Sequence, residues 1–289
     1  MPDLSAPVRV TWDLPGDPSL AAALWRRLVE ARVLLVEVRV SARSLGGLPG
    51  LAAGLASAPG PRLGLLGRPD PLLAALEALG PRGLSQAEIR VLEPFRPGAS
   101  VEDLAAATHR LIPCLWSDPR SLPALGEALE LAAAYRLGTV GVLNPPAPAV
   151  PLGPEDRARA ADLWHRRARR GLEARVHDVF LARAMGLDTS EHGGCQGASA
   201  LCHVEADGRV TACRTLPVDL GSLGETPLHE IWAAGARRAV AEELSAVPAE
   251  CAGCAAAATC RGGCPGLAPP GGRDRSCPGP LAGEGAGTP

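Results

Sequence analysis

Along the first half of the chain, short runs of β-branched and leucine residues alternate with alanine- and leucine-rich stretches of helical period. The apolar runs fall at residues 8–11, 34–40, 62–66, 88–92, 112–116 and 139–143 and predict six strands. Leu20, Leu24 and Leu28 share one face of a first helix, with Pro18 before it and Ser19 as the expected cap. A weaker helix over 48–58 is interrupted by Pro49, Gly50 and Gly54. Clearer ones follow over 72–79, over 101–111 with Ser100 opening it and Asp103 in the third position, and over 122–137 with Gly138 as its expected stop. Strand and helix repeat roughly every 25 residues, as in βαβ units. This alternation predicts an α/β fold with a parallel sheet, either open and doubly wound or an incomplete (β/α) barrel; the pattern alone does not separate them.

In the second half the period changes. Pro145-Pro-Ala-Pro148, then Val150-Pro151, read as a stiff connector. A helix over 154–171 carries Ala160, Trp164 and Ala168 on one stripe, with Arg157, Arg159, Arg166, Arg167 and Arg170 off it. Those arginines suit either a docking surface for an acidic partner or, more commonly, a solvated face. Residues 172–181 read as a further strand or an extended link, and the polar stretch 188–194 as a boundary. From Cys202 to Cys213 two four-residue arms flank Asp207-Gly208, which predicts a β-hairpin closed by a type I′ turn, with the two cysteines side by side at its open end. Leu220 to Leu223 lead into a helix capped by Thr226, with Pro227 first in it, that ends near Leu244. After Cys277 the glycine-, proline- and alanine-rich tail is expected to be disordered.

At 289 residues the chain has ample length to bury a core. The apolar share is 46%, supplied mostly by alanine and leucine, and no run of eighteen uncharged apolar residues predicts a membrane span. The first residues lack the basic-then-apolar pattern of a secretory signal, which leads to a cytoplasmic expectation. A net charge of -2 makes no case for nucleic acid or a membrane surface as partner. Asp13, Glu93, Asp118 and Asn144 stand where the predicted strands end, the functional face of such sheets, although polar residues commonly begin solvated loops there.

Candidate chemistry lies in the last third, which holds eight of nine cysteines. In a reducing compartment clustered thiols point to metal rather than disulfides. Cys251, Cys254 and Cys260 lie on one compact stretch and could share an iron-sulfur cluster, with the fourth ligand from elsewhere. The last member of such a run often serves a second cluster, which makes Cys264 a candidate for a site built by the hairpin. A pair of four-cysteine zinc sites is the other reading. Cys114, alone after an apolar run, reads as a buried small hydrophobe.

Cys202-(x10)-Cys213, then Cys251-x2-Cys254-x5-Cys260-x3-Cys264, then Cys277, resembles the SPASM domain of radical SAM peptide-modifying enzymes, as does the intervening Gly221-Ser-Leu-Gly-Glu-Thr-Pro-Leu-His-Glu-Ile-Trp232. The resemblance implies a partial (β/α)6 TIM-like barrel over 1–190, a small cysteine-rich SPASM domain with a β-hairpin over 191–278 and a tail over 279–289. It also implies two auxiliary [4Fe-4S] clusters, one on Cys195, Cys202, Cys213 and Cys264, the other on Cys251, Cys254, Cys260 and Cys277. The chain departs from the family where the radical chemistry resides. The loop after the first strand reads Trp12-Asp-Leu-Pro-Gly-Asp-Pro18, without the Cys-x3-Cys-x2-Cys that binds the catalytic cluster, and Val40-Ser-Ala-Arg-Ser-Leu-Gly-Gly47 replaces the Gly-Gly-Glu segment. The resemblance is thus to degenerate members such as the GeoRSP-type proteins. It implies an accessory iron-sulfur protein, not catalytic alone and not expected to bind S-adenosylmethionine, that transfers electrons to or docks an intact radical SAM enzyme or a precursor peptide. The competing expectation is a peptide-binding scaffold braced by zinc or by purely structural clusters. An independent enzyme using Asp13 and Glu93 lacks a nucleophile-base set.

Overall fold

A computed structural model describes residues 4–57, 60–84, 87–95, 99–108, 110–190, 194–279 and 281. The predicted tail over 279–289 lies outside the described residues except for Gly279 and Leu281. The alternation is realised as β1 (Arg9–Asp13), α1 (Pro18–Glu30), β2 (Leu35–Val40), α2 (Leu48–Ser57), β3 (Arg62–Gly67), α3 (Pro69–Leu84), β4 (Glu88–Leu92), α4 (Ala99–Ala107), β5 (Leu111–Trp116), α5 (Leu125–Ala134) and β6 (Thr139–Leu143). Then come α6 (Pro154–Arg167), β7 (Glu173–Val176), α7 (Val179–Ala184), β8 (Leu201–Val204), β9 (Arg209–Thr211), β10 (Asp219–Ser222), α8 (Leu228–Ala233) and α9 (Gly235–Ser245).

All these strands belong to one open sheet in the order β10-β9-β8-β1-β2-β3-β4-β5-β6-β7. Strands β1 to β7 are parallel neighbours in sequence order, the arrangement of an incomplete barrel. The hairpin strand β8 adds parallel to β1, with Cys202 opposite Val10, while β9 and β10 return antiparallel. The cysteine-rich region is therefore hydrogen-bonded to the first strand of the barrel, and β1 has no free edge.

Alternation along the strands separates two faces. Val10, Trp12, Val36, Val38, Leu65 and Ile89 enter the main core beneath the helices, where Trp12 stacks on Trp25 of α1 at 6.4 Å between ring centroids. Each such buried large side chain contributes about 1.5–3 kcal/mol. The other face, the concave side, carries Leu66, Leu92, Ile112, Cys114 and Leu143 as a second apolar cluster. Cys114 is buried as expected; a Cβ on the facing Gly141 would lie 2.5 Å from its sulfur.

Several local expectations are corrected. The cap of α1 is Asp17, which accepts from the Leu20 N–H at 2.7 Å, because Pro18 occupies the first helical position and moves the cap before it. Helix α4 ends at Ala107, and Leu111 already belongs to β5. Helix α5 stops at Ala134, and Arg136 (φ 54), not Gly138, takes the left-handed conformation beyond it. Helix α6 stops at Arg167 because Ala168 turns extended, and Arg157, expected on the solvated side, is 6% exposed with Nη1 donating to Leu152 O at 2.8 Å. Thr226 caps nothing: Pro227 holds the cap position, and the single helix expected there breaks at extended Ala234. That break lets Arg237 donate from Nε to Trp232 O at 2.8 Å while its guanidinium lies over the Trp232 ring.

Candidate metal centre

The hairpin delivers the first thiols. Its turn is one residue longer than the predicted type I′: Glu205 O accepts from Gly208 N at 2.9 Å, Glu205 N donates to Arg209 O at 2.8 Å, and only Gly208 has positive φ, at 91°. This is a type I turn followed by a glycine bulge. It sets His203 opposite Thr211, so Cys202 is fully buried beside β1 and Cys213 follows β9 at the open end. Burial pushes the Cys195 thiol up to about 11, against a Gly197 N–H that favours the thiolate, and the neighbouring Cys213 adds to the rise. Burial first and Cys213 second also push Cys202 and Cys264 upward, with Cys195 a further contributor at Cys264. These mutual influences join Cys195, Cys202, Cys213 and Cys264 into one neighbourhood.

Cys251, Cys254, Cys260 and Cys277 form the other. Burial, then Cys277 and Cys254, raise Cys251; burial raises Cys260, with Cys277 adding to it. The Cys254 thiol is lowered chiefly by the backbone N–H of Leu281, which lies 3.3 Å from its sulfur. Cys254, Cys260 and Cys277 pack with Val179 and Phe180 of α7. What sends Cys264 away from Cys260 is the turn between them: Arg261, Gly262 and Gly263 all have positive φ, at 47°, 86° and 85°. A Cβ at Gly263 would sit 2.7 Å from both the Asp274 side chain and the Phe180 ring. Asp274, 2% exposed, fastens the turn by accepting from Cys264 N at 3.0 Å and Ser276 N at 2.7 Å. Sequence reasoning missed Asp274; only its place three residues before Cys277 hinted at it.

All nine cysteines are unpaired. The donor chemistry suits an iron-sulfur cluster: soft thiols in fours, with backbone N–H groups turned to the sulfurs of Cys195 and Cys254 and, from Gly262, Gly263 and Gly266, to those of Cys260 and Cys264. Among the described residues no three His, Cys, Asp or Glu converge on a single-ion site. A four-iron cube gives each cysteine its own iron and so spreads its ligands more widely than one tetrahedral ion does.

Between these thiols and the concave face of the sheet lies a cavity of about 310 Å³, bordered by Cys195, Cys213 and Cys264 on one side and by Arg9, Glu37, Trp116, Asn144 and His177 on the other. Sequence reasoning missed its charged lining. Glu37 of β2, 3% exposed, accepts from Arg9 at 2.8 Å, Arg90 at 2.6 Å and Arg214 at 3.3 Å. Burial alone would raise its pKa; the three guanidiniums outweigh that and hold it at about 2. The signal available in the sequence was the charge at alternate positions of apolar strands, Arg9, Glu37 and Arg90, where buried parallel strands are ordinarily apolar on both faces.

The strand-end residues have local partners. Asp13 pairs with Arg39, Glu93 accepts from Ser121 Oγ at 2.5 Å, Asp118 accepts from Arg120 N and Ser121 N at 2.8 Å, and Asn144 accepts from Ser117 Oγ at 3.1 Å. They are not brought together as one site; Asn144 alone borders the cavity. On α6, Arg159, Arg166 and Arg167 pair with Asp156, Asp162 and Glu130, the behaviour of a solvated face.

A family model named SPASM, described as an iron-sulfur cluster-binding domain, matches residues 195–255. The match includes Cys195, Cys202, Cys213, Cys251 and Cys254 and stops before Cys260, Cys264 and Cys277. In fold, the chain is similar to SuiB of Streptococcus suis bound to S-adenosylmethionine, with TM-score 0.65 and 11% identity over 95% of this chain and 78% of that one. It is similar also to SuiB bound to the precursor peptide SuiA, with TM-score 0.66 and 11% identity over 95% and 76% of the two chains. A third likeness is to anSMEcpe with bound AdoMet, at TM-score 0.60 and 12% identity over 93% and 89%. No curated protein matches the chain. No helix among the described residues is long and apolar enough to cross a membrane.

Proposed function

We propose that this chain, whose residues 195–255 match the SPASM iron-sulfur domain model and whose fold is similar to that of SuiB and anSMEcpe, is an accessory iron-sulfur protein of a radical SAM peptide-maturation system. Cys195, Cys202, Cys213 and Cys264 hold one [4Fe-4S] cluster, and Cys251, Cys254, Cys260 and Cys277 hold the other. Residues 1–190 serve as a docking barrel and residues 191–278 as the cluster-bearing part, working in the reducing cytoplasm. The carrying observation is the gathering of eight thiols into two neighbourhoods of four, crossed over at Cys264. When bound, such clusters carry single electrons. The chain's own contribution is to exclude water by burying Cys202, Cys251 and Cys260, and to steady the sulfurs with backbone N–H groups.

The far end of β1 supports the absence of a third, catalytic cluster. The loop after β1 has no cysteine and packs backbone to backbone on the turn after β2: a Cβ at Gly46 would lie 2.5 Å from Gly16 O, and one at Gly47 2.0 Å from Pro15 O. The Asp13–Arg39 ion pair bridges the two strand ends beside it. SuiB is seen with a precursor peptide, which favours a peptide or its modifying enzyme as the partner here.

Anaerobic purification with iron and sulfide quantification tests the reading. About eight irons per chain are expected, no 5′-deoxyadenosine on incubation with S-adenosylmethionine and reductant, and co-purification with an intact radical SAM enzyme or its peptide. A protein holding zinc and no iron overturns the electron-transfer role, and S-adenosylmethionine cleavage overturns the accessory one.

A further inference from the structure

Because β1 to β7 run parallel, their first residues and the segments leading into them all lie at one end of the sheet. That end is basic. Arg32 precedes β2, Arg62 opens β3, Arg110 precedes β5, Arg136 precedes β6, and Arg169 and Arg170 precede β7; all of them are exposed. The acidic residues at the same end, Glu30, Glu88 and Glu173, pair with Arg27, Arg90 and Arg175 instead. Among the described residues no carboxylate lies within ion-pair distance of Arg32, Arg62, Arg136 or Arg170. The opposite end is mixed, with Asp17, Asp70 and Asp118 beside Arg43, Arg68 and Arg120.

The fold itself does not account for this rim. A cation at a helix C-terminus is favoured by the helix dipole, but the effect fades within the last turn, where Arg27 of α1 and Arg167 of α6 already stand. Arg32 and Arg170 lie beyond it. Arg32 (φ 56) and Arg136 (φ 54) also occupy left-handed positions that glycine takes without steric cost, in a chain with 34 glycines to draw on. A solvated charged rim has no use for apolar side chains, yet Val8, Leu34 and Tyr135 are exposed at this end, Leu34 to 65%. Leu34 N donates to Val8 O at 3.2 Å and Arg62 N to Leu34 O at 2.9 Å, so Val8, Leu34 and Arg62 stand side by side on adjacent strands, as Tyr135 stands beside Arg136.

We propose that this end of the barrel docks an acidic, apolar-bearing segment of a partner protein, its carboxylates meeting Arg32, Arg62, Arg136 and Arg170 and its apolar side chains covering Val8, Leu34 and Tyr135. The complementarity is of charge and of hydrophobicity together: unpaired guanidiniums match carboxylates, and the exposed apolar side chains favour a folded or folding polypeptide over a bare polyanion. From β2 to β7 are five strand spacings, at most about 24 Å, the length of a helix of about sixteen residues. The inference rests on the reading of residues 1–190 as a docking barrel and deepens it, naming the face that docks and the sign of what it meets. It does not depend on which metal the cysteines hold.

The test is fluorescence anisotropy of the anaerobically purified full chain with a labelled helical peptide of about sixteen residues that carries glutamate on one face and leucine on the other. Two further peptides replace every glutamate by lysine or every leucine by serine, and vesicles of phosphatidylcholine and phosphatidylserine serve as a separate probe. Saturable binding of the glutamate-leucine peptide is expected, weakened by salt and weaker by about tenfold or more for either altered peptide. Arg32→Gly combined with Arg136→Gly is expected to weaken it by about tenfold or more as well, while thermal midpoint and iron content stay near those of the wild type, because glycine suits both left-handed positions. Arg170→Glu, at an exposed position outside any helix or strand, gives the same readout if the double variant does not fold. No binding of the glutamate-leucine peptide, equal binding of the lysine peptide, or binding that the arginine variants leave unchanged overturns the proposal. Vesicle binding without peptide binding overturns it in favour of an anionic membrane, and self-association that the variants abolish overturns it in favour of a second copy of this chain. The accessory reading fails on a different measurement, the absence of any co-purifying radical SAM enzyme or precursor peptide, so the two failures are told apart.

Discussion

Glu37 shows how a single side chain can organise an interior. It is placed at a position of β2 that faces three arginines from β1, β4 and the segment after β9, and it is ionised because their attraction exceeds the cost of its burial. With a folded pKa near 2 against an ordinary value of 4.5, its stabilising contribution is complete above pH 4.5 and disappears as pH falls toward 2. A shift of that size corresponds to about 3 kcal/mol. Glu37→Gln leaves three guanidiniums without their shared anion and is expected to cost about 3–5 kcal/mol in urea unfolding at pH 7. The same variant should show a flatter loss of stability between pH 4.5 and 2. His203 acts in a higher window. Burial lowers its pKa to about 4 although Asp13 opposes this, and the neutral ring bonds the Thr11 hydroxyl at 2.9 Å. Its 3.8 Å approach to Asp13 is accordingly a polar contact between unlike groups, not an ion pair, at neutral pH. Because the unfolded chain takes up a proton that the folded ring refuses, stability falls as pH drops from about 6.5 toward 4. His203→Gln, which can keep the bond to Thr11, is expected to reduce that slope when urea midpoints are compared at pH 7 and pH 5.

At the scale of elements, the turn between Cys260 and Cys264 matters most to the proposed function, because three successive left-handed residues reverse the chain and part Cys260 from Cys264, the two cysteines assigned to different sites. Gly263→Ala adds a Cβ 2.7 Å from Asp274 and Phe180 and a left-handed penalty of about 1–2 kcal/mol. The expected outcome is loss of iron from both sites together, read by absorbance and metal analysis, with the barrel's circular dichroism preserved. Gly208→Ala, by contrast, meets only the flexible end of Leu24 at 3.0 Å beyond its positive φ, and is expected to lower thermal stability while retaining iron. The six strands of the first half were legible because each is a short run rich in β-branched residues or leucine between helical stretches. The eight cysteines were legible as candidate ligands because cluster-forming thiols must be close in sequence or carried on a recognisable hairpin. The caps and breaks were less so: Asp17 is displaced by where Pro18 fits best, and the break at Ala234 is marked only by Gly235, a single glycine inside a run of helical period. The charged cluster behind the cavity left only one trace, charge at alternate positions of apolar strands, since Arg9, Glu37, Arg90 and Arg214 come from four separate segments and only the sheet order brings them together.

For the whole molecule, the decisive fact is that the hairpin is a strand of the barrel's own sheet. Cys202 lies in register with Val10, so the first set of thiols is tied to β1 by a ladder, whereas the second set rests on α7 through Val179 and Phe180. The two proposed sites are thus anchored to opposite ends of the parallel sheet, β1 at one and the helix after β7 at the other, and the proposed partition takes Cys264 out of the second region of sequence to join Cys213 and Cys195, which lie near it. This arrangement separates two partitions that composition alone would allow. If Cys264 belongs with the hairpin, Cys264→Ala and Cys202→Ala should each leave the same residual electron paramagnetic resonance signal after reduction, that of the second site, with about four irons per chain. Cys260→Ala should leave the complementary signal. If Cys264 instead belonged with its sequence neighbours, Cys264→Ala would match Cys260→Ala and differ from Cys202→Ala. Comparing three spectra therefore decides the crossing, and with it whether the turn at Arg261 to Gly263 serves to join the two sites or only to close one.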